Sequence, residues 1–332
     1  MKAAFIERTG PPEVIVIGDL PDPRPGPRQC LVRVSAVDVN PIDVYWRSGM
    51  VPARMTMPFI LGRDLAGIVI EVGCDVRRFM PGDRVWCTGQ GFAGRPGTFS
   101  ELAAVDQEWL NPIPMGVSDN DIVAASLTGI TAHLGLFRHA QLKAGETVLV
   151  KGGAGGVGGC VLQMARAVGA RVVALAGSDD KVEKCLLLGA DRALNYRTSN
   201  VDEEVRAFAP DGVNVWWETG REPDFDRTVS LLSHRGRMVI MAGRDARPAF
   251  PVGPFYVKNC SLHGFAMFNF TPEEIRPSAE VINQWLADGR LKARIDRVFP
   301  LSQAEEAHRL QERSTLQNSG EVCGKLVLKV GS

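Results

Sequence analysis

The sequence predicts an α/β protein of two domains, one built on a doubly wound parallel sheet and the other rich in β-strands. Three observations carry this expectation. The β-branched run Thr147 to Lys151 breaks into a glycine-rich turn, Gly152 to Gly158, which opens a helical-looking stretch from Gly159 to Gly169. Strand-like and helix-like segments then alternate as far as Phe265, the pattern of a parallel sheet covered on both faces. Ahead of about Asp119 the chain instead carries short alternating runs punctuated by proline and glycine, as in a compact β domain with long loops.

Composition narrows the class. The chain has 332 residues, enough for about two domains that bury their cores without disulfides or a structural metal. Its 38 basic and 38 acidic residues balance, so no charge surplus points to nucleic acid or to an anionic membrane. Seven cysteines, at positions 30, 74, 87, 160, 185, 260 and 323, are scattered without a C-x-x-C pair. They read as reduced thiols of a cytoplasmic protein. Met1 to Arg8 lacks the apolar core of a signal peptide, and no run of about 18 apolar residues occurs, so no membrane partner is expected.

The elements follow in order. Four prolines between Pro21 and Pro27 exclude a helix and make that segment a rigid surface connection. Cys30–Val37 and Gly67–Gly73 read as strands, and Pro81-Gly82 presets a turn into a strand at Arg84–Trp86. Asn120 to His139 has helical spacing, with Ser118 or Asp119 as its cap, and reads as a largely buried helix bridging the domains. Strands at Thr147–Lys151, Arg171–Ala176, Arg192–Asn195, Val213–Glu218, Gly236–Met241 and Cys260–Phe265 make a six-stranded sheet, with helices near Asp179–Leu188 and Phe225–Leu232. Helices near Pro272–Asp288 and Ser302–Arg313 and a final strand, Gly324–Lys329, return to the β-rich domain. The expected domains are therefore 1–120 with 267–332, and 121–266.

Gly153, Gly155 and Gly158 satisfy G-x-G-x-x-G, and with Ala154, Gly156 and Val157 they form the turn of a dinucleotide site. The glycines allow close backbone approach to a pyrophosphate, and the helix N-terminus offers N–H groups and partial positive charge.

Met1-Lys2-Ala3-Ala4, Val39-Asn40-Pro41-Ile42-Asp43-Val44-Tyr45-Trp46-Arg47-Ser48-Gly49, Gly62-Arg63-Asp64-Leu65-Ala66-Gly67, Pro81-Gly82-Asp83-Arg84-Val85 and Gly153 to Gly158 occur in this order. Together they resemble the zinc-independent quinone oxidoreductases of the medium-chain dehydrogenase/reductase superfamily, the group that includes zeta-crystallin, over essentially the whole chain. The resemblance implies a Rossmann cofactor domain, a GroES-like catalytic domain with the nicotinamide in the cleft between them, and a homodimer formed by pairing the edge strand Cys260–Phe265 across a two-fold axis. Metal-dependent relatives carry a cysteine near the position of Asn40 and a histidine in the motif that here reads Gly62-Arg63-Asp64. Neither is present, and Gly89 to Gly97 lacks the cysteines of a structural zinc lobe. The five histidines, 133, 139, 234, 263 and 308, have no metal-ligand spacing, so no metal is expected. Without a Lewis acid, alcohol oxidation is disfavoured, which leaves hydride delivery to a small-molecule electrophile such as a quinone or a polarised C=C.

Cofactor choice is read at the end of the second strand of the sheet. An NAD site places a carboxylate about twenty residues beyond the glycine turn. Here Ala176-Gly177-Ser178 is neutral, and Lys181 one turn on suits the 2′-phosphate of NADPH. Asp179 and Asp180 either reach back to the ribose or cap the helix.

The resemblance supplies further positions. It implies that Tyr196 lies near the adenosine phosphate, that Met241-Ala242-Gly243-Arg244 runs along the cofactor, and that Phe268 and Asn269 pack near the nicotinamide, with edge, solvated or core roles as the plain alternatives. Thr131 either reaches the nicotinamide end or is a buried helix hydroxyl. Tyr45 is either a hydrogen-bond or proton donor to the acceptor or a pocket wall, and Asn40 either orients that segment or binds the substrate carbonyl. Arg47 is a phosphate or substrate contact or a solvated side chain. Two other functions fit the same scaffold: an enoyl-thioester or alkenal double-bond reductase, and an NADPH-binding structural or regulatory protein with little turnover.

Overall fold

In the computed structural model, residues 1–51, 55–317 and 319–331 are described. The chain divides into two units, Met1–Leu127 with Phe270–Ser332, and Thr128–Asn269. The division falls inside a helix.

The first unit begins with β1 (Lys2–Ile6), β2 (Ile15–Asp19), β3 (Gln29–Val39), the short helix α1 (Pro41–Arg47), β4 (Phe59–Ile60), β5 (Leu65–Val72), β6 (Arg84–Cys87), β7 (Leu102–Asp106) and β8 (Asn111–Pro112). Among the described residues β1 lies between β2 and β4 in a small antiparallel sheet. β3 is the spine of the larger sheet. Its eleven residues pair with β5 on one side and β7 on the other, and bulges at Leu31/Val32 and Val34/Ala36 let one strand serve several partners. The core gathers the inward residues of these strands, including Val32, Val37, Val39, Leu65, Val69, Val85 and Phe99.

α1 has no counterpart in the sequence reading. It starts on a capping box, in which Asn40 N–H donates to Asp43 Oδ2 at 2.8 Å, and on Pro41, whose fixed φ suits the first helical position. α2 (Asp119–His133) follows, with Ser118 Oγ accepting from Asp121 N–H at 3.1 Å. The helix expected to run to His139 is α-helical only to His133. It widens into a π-type turn over Leu134–His139, where Ala140 N–H donates to Gly135 O at 2.9 Å.

The second unit continues with β9 (Thr147–Lys151), α3 (Gly156–Ala167), β10 (Arg171–Ala176), α4 (Asp179–Leu187), β11 (Arg192–Asn195), α5 (Val201–Phe208), β12 (Val213–Glu218), α6 (Phe225–Leu231), β13 (Leu232–Ile240), α7 (Val252–Val257) and β14 (Ser261–Gly264). All the pairings are parallel, in the order β11-β10-β9-β12-β13-β14. From β9 the chain winds outward through β10 and β11, then crosses back to place β12 on the other side of β9. The strand order therefore reverses between β9 and β12, and in such sheets the crevice beyond these strand ends takes ligands. On one face Leu149, Val173, Leu175 and Trp216 pack against Val201 and Val205 of α5 and Val229 of α6. α3 starts three residues before the stretch the sequence suggested, because Gly155 is already its N-cap. β13 starts earlier than the expected Gly236, at Leu232, with a register shift against β12.

The chain returns to the first unit through α8 (Pro272–Ala287), β15 (Ile295–Pro300), α9 (Ala304–Leu316) and β16 (Lys325–Lys329). β16 pairs antiparallel with the C-terminal half of β3, Leu326 opposite Val39, and parallel with β15. Among the described residues no helix is long and apolar enough to cross a membrane, and no disulfide joins any of the seven cysteines.

Candidate functional site

The glycine turn of the second unit is built by close contact. Gly152 adopts φ +78°, and its N–H donates to Leu175 O at 2.9 Å, bending the chain off β9 over the end of β10. A Cβ on Gly158 would lie 2.2 Å from Gly152 O, so only glycine lets the first turn of α3 sit against the turn that precedes it. No side chain caps α3, and its N-cap Gly155 is exposed with Gly156 and Val157 half-buried beside it. These first-turn N–H groups form an anion cradle of the kind that holds a pyrophosphate.

The neighbouring strand ends add to this cradle. The Tyr196 hydroxyl, just past β11, lies over Gly177, 2.7 Å from where a Cβ would stand. Ser178 is the N-cap position of α4 and carries no carboxylate. Asp179 accepts from Asn195 Nδ2 at 2.7 Å, while Asp180 accepts from Ser178 Oγ and pairs with Lys184 at 3.4 Å. Both acids are thus first-turn residues held by other side chains. Lys181 is half-buried in that same turn. Arg197, which the sequence reading passed over, has its guanidinium 6.0 Å from the Tyr196 ring, and its only sequence signal is its place directly after that tyrosine. Met241, Ala242 and Gly243 leave β13 half-buried in a turn with Gly243 at φ +81°, and Arg244 is exposed. Thr131 is buried on α2 one turn beyond Thr128, whose hydroxyl meets Cys160 Sγ of α3 at 3.6 Å. Phe268 and Asn269 lie in a short turn, Met267–Asn269, beyond β14 and apart from the glycine turn in sequence, Phe268 half-buried and Asn269 exposed.

Lys151 and Glu218, also unremarked in the sequence, end the two central strands side by side. Lys151 Nζ is 3.2 Å from Glu218 Oε1, and Glu218 is 1% exposed.

The first unit holds a second polar centre, which is almost wholly buried. Asp38, Asn40, Asp43, Arg63, Asp64 and Lys325 are each no more than 5% exposed. Asn40 Nδ2 donates to Asp64 Oδ2 at 2.7 Å, and Asn40 Oδ1 accepts from Lys325 Nζ at 2.5 Å. Lys325 also lies 2.7 Å from Asp38 Oδ2. Arg63 Nε donates to Asp43 Oδ1 at 3.1 Å, its Nη1 donates to the Gln90 and Gly91 carbonyls, and its guanidinium stacks 4.3 Å over the Trp46 ring. Three carboxylates thus face two cations. Burial, then the neighbouring Asp38 charge, pushes Asp64 well above the usual carboxylate range and holds it toward its neutral form. Burial likewise raises Asp43 to about 6, against the pull of Arg63.

These contacts engage every polar atom of Asn40, which ties it to the orientation of α1. Tyr45 is half-buried on the same helix, and its carbonyl accepts from Val51 N–H at 3.2 Å. Arg47 is buried, ion-paired with Glu312 of α9, and donates to Gly10 O at 2.5 Å; it is neither solvated nor presented to a ligand. Among the described residues no group of three or more His, Cys, Asp or Glu is arranged to hold a metal ion.

Residues 26–115 match the alcohol dehydrogenase GroES-like domain and residues 156–284 the zinc-binding dehydrogenase domain. This pairing defines the medium-chain dehydrogenase/reductase class of oxidoreductases. Quinone oxidoreductase of Rattus norvegicus is 32% identical over 330 residues, spanning 99% of this chain and 97% of that protein. Among solved structures, an NAD-dependent alcohol dehydrogenase superposes with a TM-score of 0.88 at 30% identity, covering 100% of both chains. Escherichia coli quinone oxidoreductase complexed with NADPH superposes with a TM-score of 0.86 at 26% identity, over 99% of this chain and 100% of that one. The chain belongs to the quinone oxidoreductase family of the medium-chain dehydrogenase/reductase superfamily, and it is an oxidoreductase.

Proposed function

We propose that this enzyme reduces quinones or related electrophilic carbonyl compounds with NADPH, by hydride transfer and without zinc. The observation that carries the reading is Arg63. It lies in the Gly62-Arg63-Asp64 motif, in which zinc-dependent relatives carry a histidine, it is a permanent cation with no lone pair to give, and Lys325 brings a second cation to the same cluster. Asn40, near whose position those relatives carry a cysteine, has its oxygen already bonded to Lys325. The carboxylates of the cluster, Asp38, Asp43 and Asp64, are engaged by Lys325, Arg63 and Asn40, and with no thiolate or imidazole among them this set does not suit a zinc ion.

The second unit suits NADPH. The Gly153 to Gly158 turn and the first turn of α3 would hold the pyrophosphate, and Thr131 would reach the nicotinamide end. Gly177, Ser178, Lys181 and Tyr196 would take the adenosine end, where both nearby aspartates are occupied by other side chains. Met241 to Arg244, Phe268 and Asn269 would line the remainder of the cofactor. When bound, NADPH supplies the hydride from its dihydronicotinamide. Tyr45 would hydrogen-bond the acceptor oxygen and hand it a proton, water being the other donor, and Asn40 would orient α1 from beneath.

The protein would work as a cytoplasmic homodimer. Val252, Tyr256 and Val257 of α7 are each at least 64% exposed beside the unpaired edge of β14, where Leu262 is 41% exposed, and an edge of this kind is usually covered.

The test is NADPH oxidation by the purified, chelator-treated protein, with NADH in parallel, across quinones, alkenals and crotonyl thioesters. Chelator-insensitive turnover of quinones with NADPH is expected. Preference for the conjugated C=C substrates would make the enzyme a double-bond reductase, and tight NADPH binding without turnover would make it a binding protein. Tyr45→Phe should lower kcat by about tenfold to a hundredfold while leaving NADPH affinity unchanged.

A further inference from the structure

Lys151 and Glu218 stand at the one place in the second unit where the strand order reverses. β12 pairs with β9 in the register Trp217 opposite Val150, so the next residues, Glu218 and Lys151, are neighbours at the C-terminal ends of the two central strands. Lys151 Nζ lies 3.2 and 3.3 Å from the two Glu218 oxygens. Glu218 also accepts from Gly220 N–H at 2.6 Å and from Trp216 Nε1 at 3.3 Å. Thr219 Oγ1 donates to the Lys151 carbonyl at 2.6 Å. The turn after β12 is therefore stitched to the residue that precedes the glycine turn. It rests directly on the ion pair, since a Cβ on Gly220 would lie 2.6 Å from Glu218 Oε1 and 2.8 Å from Lys151 Nζ.

A dinucleotide crossing this crevice brings two phosphate charges close to Glu218, whose side chain is nearly inaccessible to screening water. A bare carboxylate there would oppose binding. We propose that Lys151 is a positioning residue for the dinucleotide, cancelling the charge of Glu218 at the crossover and fixing the Thr219–Gly220 turn beside the glycine turn. This rests on the cofactor reading above. It concerns affinity for the shared part of NADPH and NADH, and it leaves the 2′-phosphate selection at Ser178 and Lys181 untouched.

The experiment is fluorescence titration of the whole protein with NADPH and with NADH, for the wild type, Lys151→Met, Lys151→Arg and the neutral double variant Lys151→Met/Glu218→Gln. Lys151→Met should weaken both dinucleotides by the same factor, about tenfold or more, the scale of one charge-assisted contact. Lys151→Arg should bind as the wild type, and the double variant should recover most of the loss. Wild-type binding by Lys151→Met would overturn the proposal. So would a double variant as weak as the single one while melting at the wild-type temperature. If Lys151→Met alone does not fold, the double variant decides: near-wild-type binding supports the proposal, and a tenfold loss overturns it. A wild type that binds neither dinucleotide would instead remove the cofactor reading, a result distinct from either of these.

Discussion

Lys325 Nζ lies 2.5 Å from Asn40 Oδ1 and 2.7 Å from Asp38 Oδ2, so the first residue of β16 completes the polar cluster that anchors the start of α1. Lys325→Met would leave the Asp38 carboxylate buried without its counter-ion. The expected cost is about 3–5 kcal/mol of stability, read by urea denaturation. Adding Asp38→Asn should return part of it, because the orphaned charge, more than lost packing, is the source of the cost.

Gly158→Ala tests the glycine turn. The new methyl would meet the Gly152 carbonyl, which is backbone and has no rotamer to yield. A stability loss of about 1–3 kcal/mol is expected, together with loss of detectable NADPH binding by isothermal titration. Retained binding would show that α3 can shift away from the turn without harm.

Selection for the 2′-phosphate is expected to run through the first turn of α4. Lys181→Ala should raise the KM for NADPH about tenfold and leave that for NADH unchanged. Equal effects on both cofactors would remove Lys181 from that role.

His308 gives the fold an acid limit. It is fully buried against the edge of Phe99, and its ring nitrogens have no hydrogen-bond partner among the described residues. Burial, with Arg47 and Arg63 nearby, depresses its pKa from 6.5 to about 3. The unfolded imidazole takes up a proton below about 6.5 and the folded one does not until about 3, so stability is fully present above 6.5 and is lost as pH falls through that window. Each pH unit inside it costs up to about 1.4 kcal/mol. Asp43, with its pKa raised to about 6, works in the opposite sense, its contribution falling as pH rises from its ordinary 3.8. Comparing the pH dependence of urea midpoints for the wild type and His308→Leu isolates the histidine, and the variant should lose less stability between pH 6.5 and 4.

The parallel sheet was legible because its strands are short runs, mostly apolar, each set off by a turn or helix signal. β9, β10, β11 and β12 begin and end where the sequence places them. α1 was not, because Asn40-Pro41 reads as a loop and the signal that a helix starts there, Asp43 answering Asn40, lies in one reciprocal pair. α7 escaped notice because its six residues include Pro254 and bury none of their side chains. The buried cluster was illegible for a different reason. Its charges come from β3, α1, the segment before β5 and β16, and a linear reading assigns isolated aspartates, arginines and lysines to the surface. The Lys151–Glu218 pair needs the strand order before its two members become neighbours, whereas the glycine turn is contiguous and needs none.

β16 carries a consequence for biosynthesis. Asp38 and Asn40 leave the ribosome early, but the lysine that satisfies them is residue 325, and β16 is also the strand that covers the C-terminal half of β3. The second unit, contiguous in the chain, can fold during translation while the first waits with its spine strand half-paired. A nascent or truncated chain that stops short of Lys325 is therefore open to chaperones and proteases at β3, however sound its parallel sheet.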